Sequence, residues 1–162
     1  MTRDDFWQII EEHVEPGENL DVTDLEEALV ARGAGYIRAF EQHFGALHRE
    51  SYSWSLWGAA YIVNGGCSDD VFDYFRAWLI GQGRETYARV IANPDALADL
   101  VNDEVFCEDL LVVAFHSYER ATGESFPMGE ARPLPELGEG WDFDDEAESR
   151  RRYPRLSAKF FG

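Results

Sequence analysis

The chain has 162 residues, 45% hydrophobic and 14% aromatic, enough to bury a core and too apolar for a disordered segment. Thirty-two acids face fourteen Lys and Arg, a formal net charge of −18, so nucleic acid and anionic membranes are disfavoured as ligands and a basic protein would be drawn in. No apolar run reaches the length of a bilayer span and the first residues lack a signal peptide's basic and apolar regions; the expectation is a soluble, cytoplasmic protein whose Cys67 and Cys107 stay reduced.

Thr2 and Asp5 approximate a capping box for a first amphipathic helix carrying Phe6, Trp7, Ile9, Ile10 and Val14, which Pro16-Gly17 ends. Thr23 and Glu26 make a cleaner box for a second helix with Leu25, Ala28 and Leu29 inside and Gly33 at its end. A third helix, from about Gly35 to His48, presents Tyr36, Ile37, Phe40 and Phe44 on one face. No histidine has a glutamate three residues ahead of it or a second histidine four residues away. The usual helical metal pairs are therefore missing, and neither a metal nor a cofactor is expected.

The central stretch reads as helix, stop, helix. Trp54, Trp57, Gly58 and Tyr61 share a face, Gly65-Gly66 supplies the positive φ of a C-terminal cap, and Ser68 caps a new helix with Asp69 and Asp70 in its first turn. Val71, Phe72, Phe75, Trp78 and Leu79 form its apolar face, and Asp69, Asp73 and Arg76 fall roughly opposite, as an ion-paired, solvated stripe or as part of a site. In the second case Asn64 and the Gly65-Gly66 backbone would orient a ligand, Trp57 and Tyr61 would stack on it, Asp69, Asp70 or Asp73 would act as acid or base, and Arg76 would hold an anionic group. Cys67 stands before a helix start, which favours a thiolate, but Asp69 and Asp70 oppose that; a small buried side chain is expected.

Beyond Gly83 the pattern gives a short helix from Glu85 to Ala92, a break at Asn93-Pro94, and another short helix from Asp95 to Val101. The longest helix is expected from about Asp103 to Ala121, capped by Gly123, with apolar residues from Phe106 to Tyr118 covering more than half its circumference as the buried centre. From Glu124 prolines and glycines impose an extended strap, anchored by Trp141 and Phe143. Asp142, Asp144, Asp145 and Glu146 lack the glycine and terminal glutamate of an EF-hand; the acids instead start a last short helix, with Arg150, Arg151 and Arg152 at its C-terminal end and Pro154 as its stop.

The expected fold is all-α: one domain, 1–162, with a compact multi-helix bundle over 1–123 and a Pro/Gly-rich strap and short terminal helix over 124–162. The pattern NGGCSDD-x-F-x-YFR-x-WLI within Trp57 to Gly83, with Phe6-Trp7 and Trp141-Asp142-Phe143-Asp144-Asp145, resembles a bacterial family catalogued as domain of unknown function 4240, common in actinobacteria. The resemblance runs from about Asp4 to the Tyr153-Pro154-Arg155-Leu156 segment. It implies a small bacterial cytoplasmic domain and no particular activity. A binding or regulatory module for a basic protein, of inhibitor or immunity type, is the expected function, because no phosphate loop, metal pair or nucleophile elbow is present. The alternative is a small hydrolase or transferase built on Trp57, Tyr61, Asn64, Gly65, Gly66, Cys67, Asp69, Asp70, Asp73 and Arg76.

Overall fold

Both halves of the first capping box form: Thr2 Oγ1 accepts from the Asp5 N–H at 3.1 Å and the Asp5 carboxylate accepts from the Thr2 N–H at 2.7 Å, opening α1 (Arg3–His13). These belong to a computed structural model that describes residues 1–162, all helix, turn or extended segment with no strand. The second box does not form. Helix α2 (Thr23–Arg32) starts one residue earlier than a Thr23 cap requires, and Asp21 accepts the Thr23 N–H instead at 2.9 Å. The Thr23 hydroxyl, and after it that backbone bond, hold the Asp21 carboxyl below its ordinary range.

Helix α3 (Ala34–Glu50) is the longest, burying Ile37, Phe40, Phe44 and Leu47 on one stripe. Helices α4 (Trp54–Val63) and α5 (Asp69–Gly81) follow around the Asn64–Ser68 turn, then α6 (Arg84–Ala92) and a 3-10 turn (Pro94–Asp99). Helix α7 (Glu108–Thr122) begins five residues later than its sequence pattern suggests. Residues 101–107 run non-helical because their backbone finds partners elsewhere: the Val105 N–H donates to Asn64 Oδ1 at 2.9 Å and the Cys107 N–H to the Tyr74 carbonyl at 3.0 Å. Nor is α7 buried all round. Leu110, Val113, Ala114 and Ser117 form a narrow buried stripe against α2, α3 and α5, while Phe106 lies outside the helix and exposed.

The strap from Glu124 to Asp145 contains no regular element. Asp145 then caps α8 (Glu146–Arg152) through the Glu148 N–H at 3.1 Å. Pro154 does not end the chain's helical structure; it occupies the first position of a further helix, α9 (Pro154–Phe160), where its missing N–H costs nothing. The cap of α9 comes from a distance: buried Asp95 accepts from the Arg155 N–H at 3.1 Å and the Leu156 N–H at 2.9 Å. The hydrophobic core of 36 buried residues runs from Phe6 to Leu156 and so includes this C-terminal piece. No helix is long and apolar enough to cross a membrane.

Candidate functional site

The α4–α5 corner is set locally. Gly65 and Gly66 have φ of 63° and 120°, and their N–H groups donate to the Ile62 and Tyr61 carbonyls at 3.4 and 2.9 Å, a Schellman end to α4. Ser68 Oγ then accepts from the Val71 N–H at 3.3 Å and starts α5. Between them Asn64 brackets one distant residue, its Nδ2 donating to the Val105 carbonyl at 3.2 Å while its Oδ1 accepts the Val105 N–H. Its amide is thereby committed to the backbone of residues 101–107.

The aromatic face of α4 is covered by the chain itself. Phe143 lies 5.4 to 6.3 Å from the rings of Trp54, Trp57 and Tyr61, and Trp54 Nε1 donates to the Gly138 carbonyl at 3.1 Å. Trp57 is buried, stacks on Phe72 at 4.7 Å and donates to the Cys67 carbonyl at 2.9 Å. The Tyr61 hydroxyl donates to Asp144 Oδ1 at 2.6 Å, which raises its pKa. Gly58 shows how closely the cover fits: a Cβ there would stand 2.6 Å from Tyr153 Oη and 2.7 Å from Trp141 Cζ2.

The Asp69, Asp73, Arg76 stripe does not survive folding as a solvated face. Arg76 has a fully buried side chain; Asp73, 42% exposed, pairs with it from the edge. The guanidinium also donates to the His48 carbonyl and lies over the rings of Phe72 and Tyr52 at 4.8 and 5.0 Å. Burial lowers its pKa and Asp73 raises it. Periodicity placed Arg76 opposite the apolar face, but the second half of α5 is buried on every side, so the long side chain is taken inside with its carboxylate and carbonyl partners. His48 completes the group. Its Nε2 donates to the Asp73 carbonyl at 2.9 Å, leaving Nδ1 unprotonated toward Arg76 Nη1 at 3.4 Å. Burial, then the Arg76 charge, pushes its pKa down to about 4.

Cys67 is buried, and burial pushes its thiol up to about 12, so it holds no thiolate near neutrality. Five surface clefts are lined by none of Trp57, Asn64, Cys67, Asp69, Asp73 or Arg76. Tyr61 and Gly65 edge one of about 220 Å³, beside Phe143 and Asp144.

What remains open is acid. Asp69 and Asp70 project from the first turn of α5, and Glu108 and Asp109 from the first turn of α7, all exposed and without an ion pair. Tyr74 joins the two turns: Glu108 first, then burial, then Asp70 raise its phenol. Asp103 and Glu104 extend the segment before α7, and Phe106, 51% exposed, lies in the chain between them and Glu108. The sequence hid this face because Phe106 and its neighbours share a helical period with α7; only the unmade helix turn brings them to the surface.

A family model described as a protein of unknown function, DUF4240, matches residues 1–120, so the chain belongs to that family. The Trp141–Asp145 part of the expected resemblance lies beyond the matched residues. No curated protein and no solved structure matches.

Proposed function

We propose that this DUF4240 member is a binding module for a basic protein, docked on the face formed by the first turns of α5 and α7. One observation carries the reading: an exposed phenylalanine, Phe106, sits in a run of exposed acids, Asp103, Glu104, Glu108 and Asp109, whose Glu108 shares Tyr74 with Asp70 of the α5 first turn, and neither these acids nor Asp69 are neutralised within the chain. Unpaired carboxylates steer a cationic partner and fix its orientation, and an apolar anchor in the same run supplies the burial that charge alone does not. The enzyme alternative loses support, because Asn64, Arg76 and Trp57 are each occupied by the chain's own groups.

The test is capture of basic proteins from host lysate at low and moderate salt by three forms of the full chain. Wild type should retain a basic partner at low salt and release it as salt rises. Phe106→Ala, and separately Asp69→Asn/Asp70→Asn/Glu108→Gln, should lose that partner, whereas Glu15→Gln/Glu119→Gln/Glu124→Gln, with the same change in charge, should keep it. Equal loss in both triple variants would mean that bulk charge and not this face retains the protein, and the reading would fall.

A further inference from the structure

In a chain with so large an excess of acid, arginines without a carboxylate are informative. Nine arginines pair with an acid; of the other four, Arg32 donates to the Ala28 carbonyl. Arg38, Arg49 and Arg132 form no ion pair, and all three line one cleft of about 630 Å³ between α3 and the strap. That volume is in the range of small-molecule sites, roughly 300–1,000 Å³. Apolar side chains line the same cleft: Phe115 from α7, Phe126 packed edge-on against it at 5.0 Å, and Met128, 76% exposed.

We propose that this cleft binds a small organic phosphate, its doubly charged head held by Arg38, Arg49 and Arg132 and its apolar body laid on Phe115, Phe126 and Met128. A guanidinium fork matches phosphate oxygens in pairs, and several forks suit a dianion better than a single carboxylate. The site shares no residue with the acidic face, and the assignment does not depend on it.

Glu41 decides how the cleft responds to pH. It lies in the lining, half-buried, with no hydrogen-bond partner, and burial pushes its carboxyl up to about 8. The charged groups sharing the cleft with it are Arg38, His48 and Arg49 from α3 and Glu130 and Arg132 from the strap; α7 contributes only Phe115. The arginines do not titrate in this range, His48 is already neutral, and a phosphomonoester loses its second proton near pH 6. Between pH 7 and 9, therefore, Glu41 alone changes from a neutral group to an anion beside the phosphate.

The experiment is calorimetric titration of the full chain with phenyl phosphate, benzoate and inorganic phosphate. Phenyl phosphate should bind tightest, since benzoate carries one charge and inorganic phosphate no apolar body. Its affinity should fall at least about tenfold in Arg49→Gln/Arg132→Gln, with an unchanged circular-dichroism spectrum, and stay constant in Arg89→Gln, whose side chain pairs with Asp99. Binding by wild type should weaken as pH rises through 8, and Glu41→Gln should bind without that dependence. No saturable binding of phenyl phosphate, equal binding of the three probes, equal affinity in the double variant, or a pH dependence that survives Glu41→Gln would each overturn the assignment.

Discussion

Residues 1–120 and residues 121–162 are held by different means. In the first part amphipathic helices meet along periodic faces: Phe40 of α3 lies 4.9 Å from Phe6 of α1 and 6.2 Å from Phe44, and α7 sets its stripe against α2, α3 and α5. The second part has no helix longer than seven residues. It is fixed by single insertions: Trp141 and Phe143 over α4, the Tyr153 hydroxyl on the Ser55 carbonyl at 2.5 Å, and the α9 N-terminus on Asp95. A short helix has too little face to be stable alone, so it takes its cap and its burial from the body it covers. The difference teaches that the first part is not a finished surface: Trp54, Trp57, Gly58 and Asp95 are shaped for a cover.

The largest expected effect tests that directly. A chain ending at residue 140 loses Trp141, Phe143, Tyr153 and Leu156 from the α4 side; at roughly 1.5–3 kcal/mol for each buried side chain, about 8 kcal/mol disappears. Such a loss is comparable to the whole stability of an ordinary domain. Its thermal melt should lack a cooperative transition, and a melt close to that of the full chain would show that the cover is dispensable. Next in size is Arg76→Ala, which empties a fully buried position and leaves the His48 carbonyl without its donor, for about 4 kcal/mol by urea denaturation.

Asp95→Ala should cost about 3 kcal/mol, since two N–H groups of α9 lose a charged acceptor. The comparison makes its effect local: exchange of the Arg155 and Leu156 amides should rise far more than that of amides in α3. Asp73→Asn should cost about 2 kcal/mol, more than a surface pair, because it strands a buried guanidinium.

The pH profile gives the smallest change. Glu41, with its folded pKa raised to about 8, binds its proton more tightly folded than unfolded, so its contribution is full below its ordinary 4.5 and is lost as pH rises to 8. His48, lowered to about 4 from 6.5, acts on the other side: stability is lost as pH falls from 6.5 to 4. From pH 6.5 to 8 wild type should lose about 1.5 kcal/mol that Glu41→Gln keeps. Denaturant midpoints for the pair that move in parallel across this interval would refute it.

Local signals were legible in the sequence wherever a residue acts on its own neighbours. Thr2, Ser68, Gly65-Gly66 and Gly123 begin or end helices because each satisfies backbone groups within a few positions, and the apolar spacing between them sufficed for an all-α chain. Trp141 and Phe143 were legible as anchors because large aromatics in a proline- and glycine-rich segment have no helix of their own to stabilise. The second capping box misled, since Asp21 reaches the same N–H. Tertiary structure alone decided the rest. Arg76 is inside because a carbonyl 28 residues away and two aromatic rings receive it; Asn64 is a staple because Val105, 41 positions on, presents both its backbone groups; α9 exists because Asp95, 61 residues before Leu156, caps it. Helical periodicity records which face a side chain occupies but not whether a partner waits there, and for a charge or an amide the partner determines whether burial is affordable.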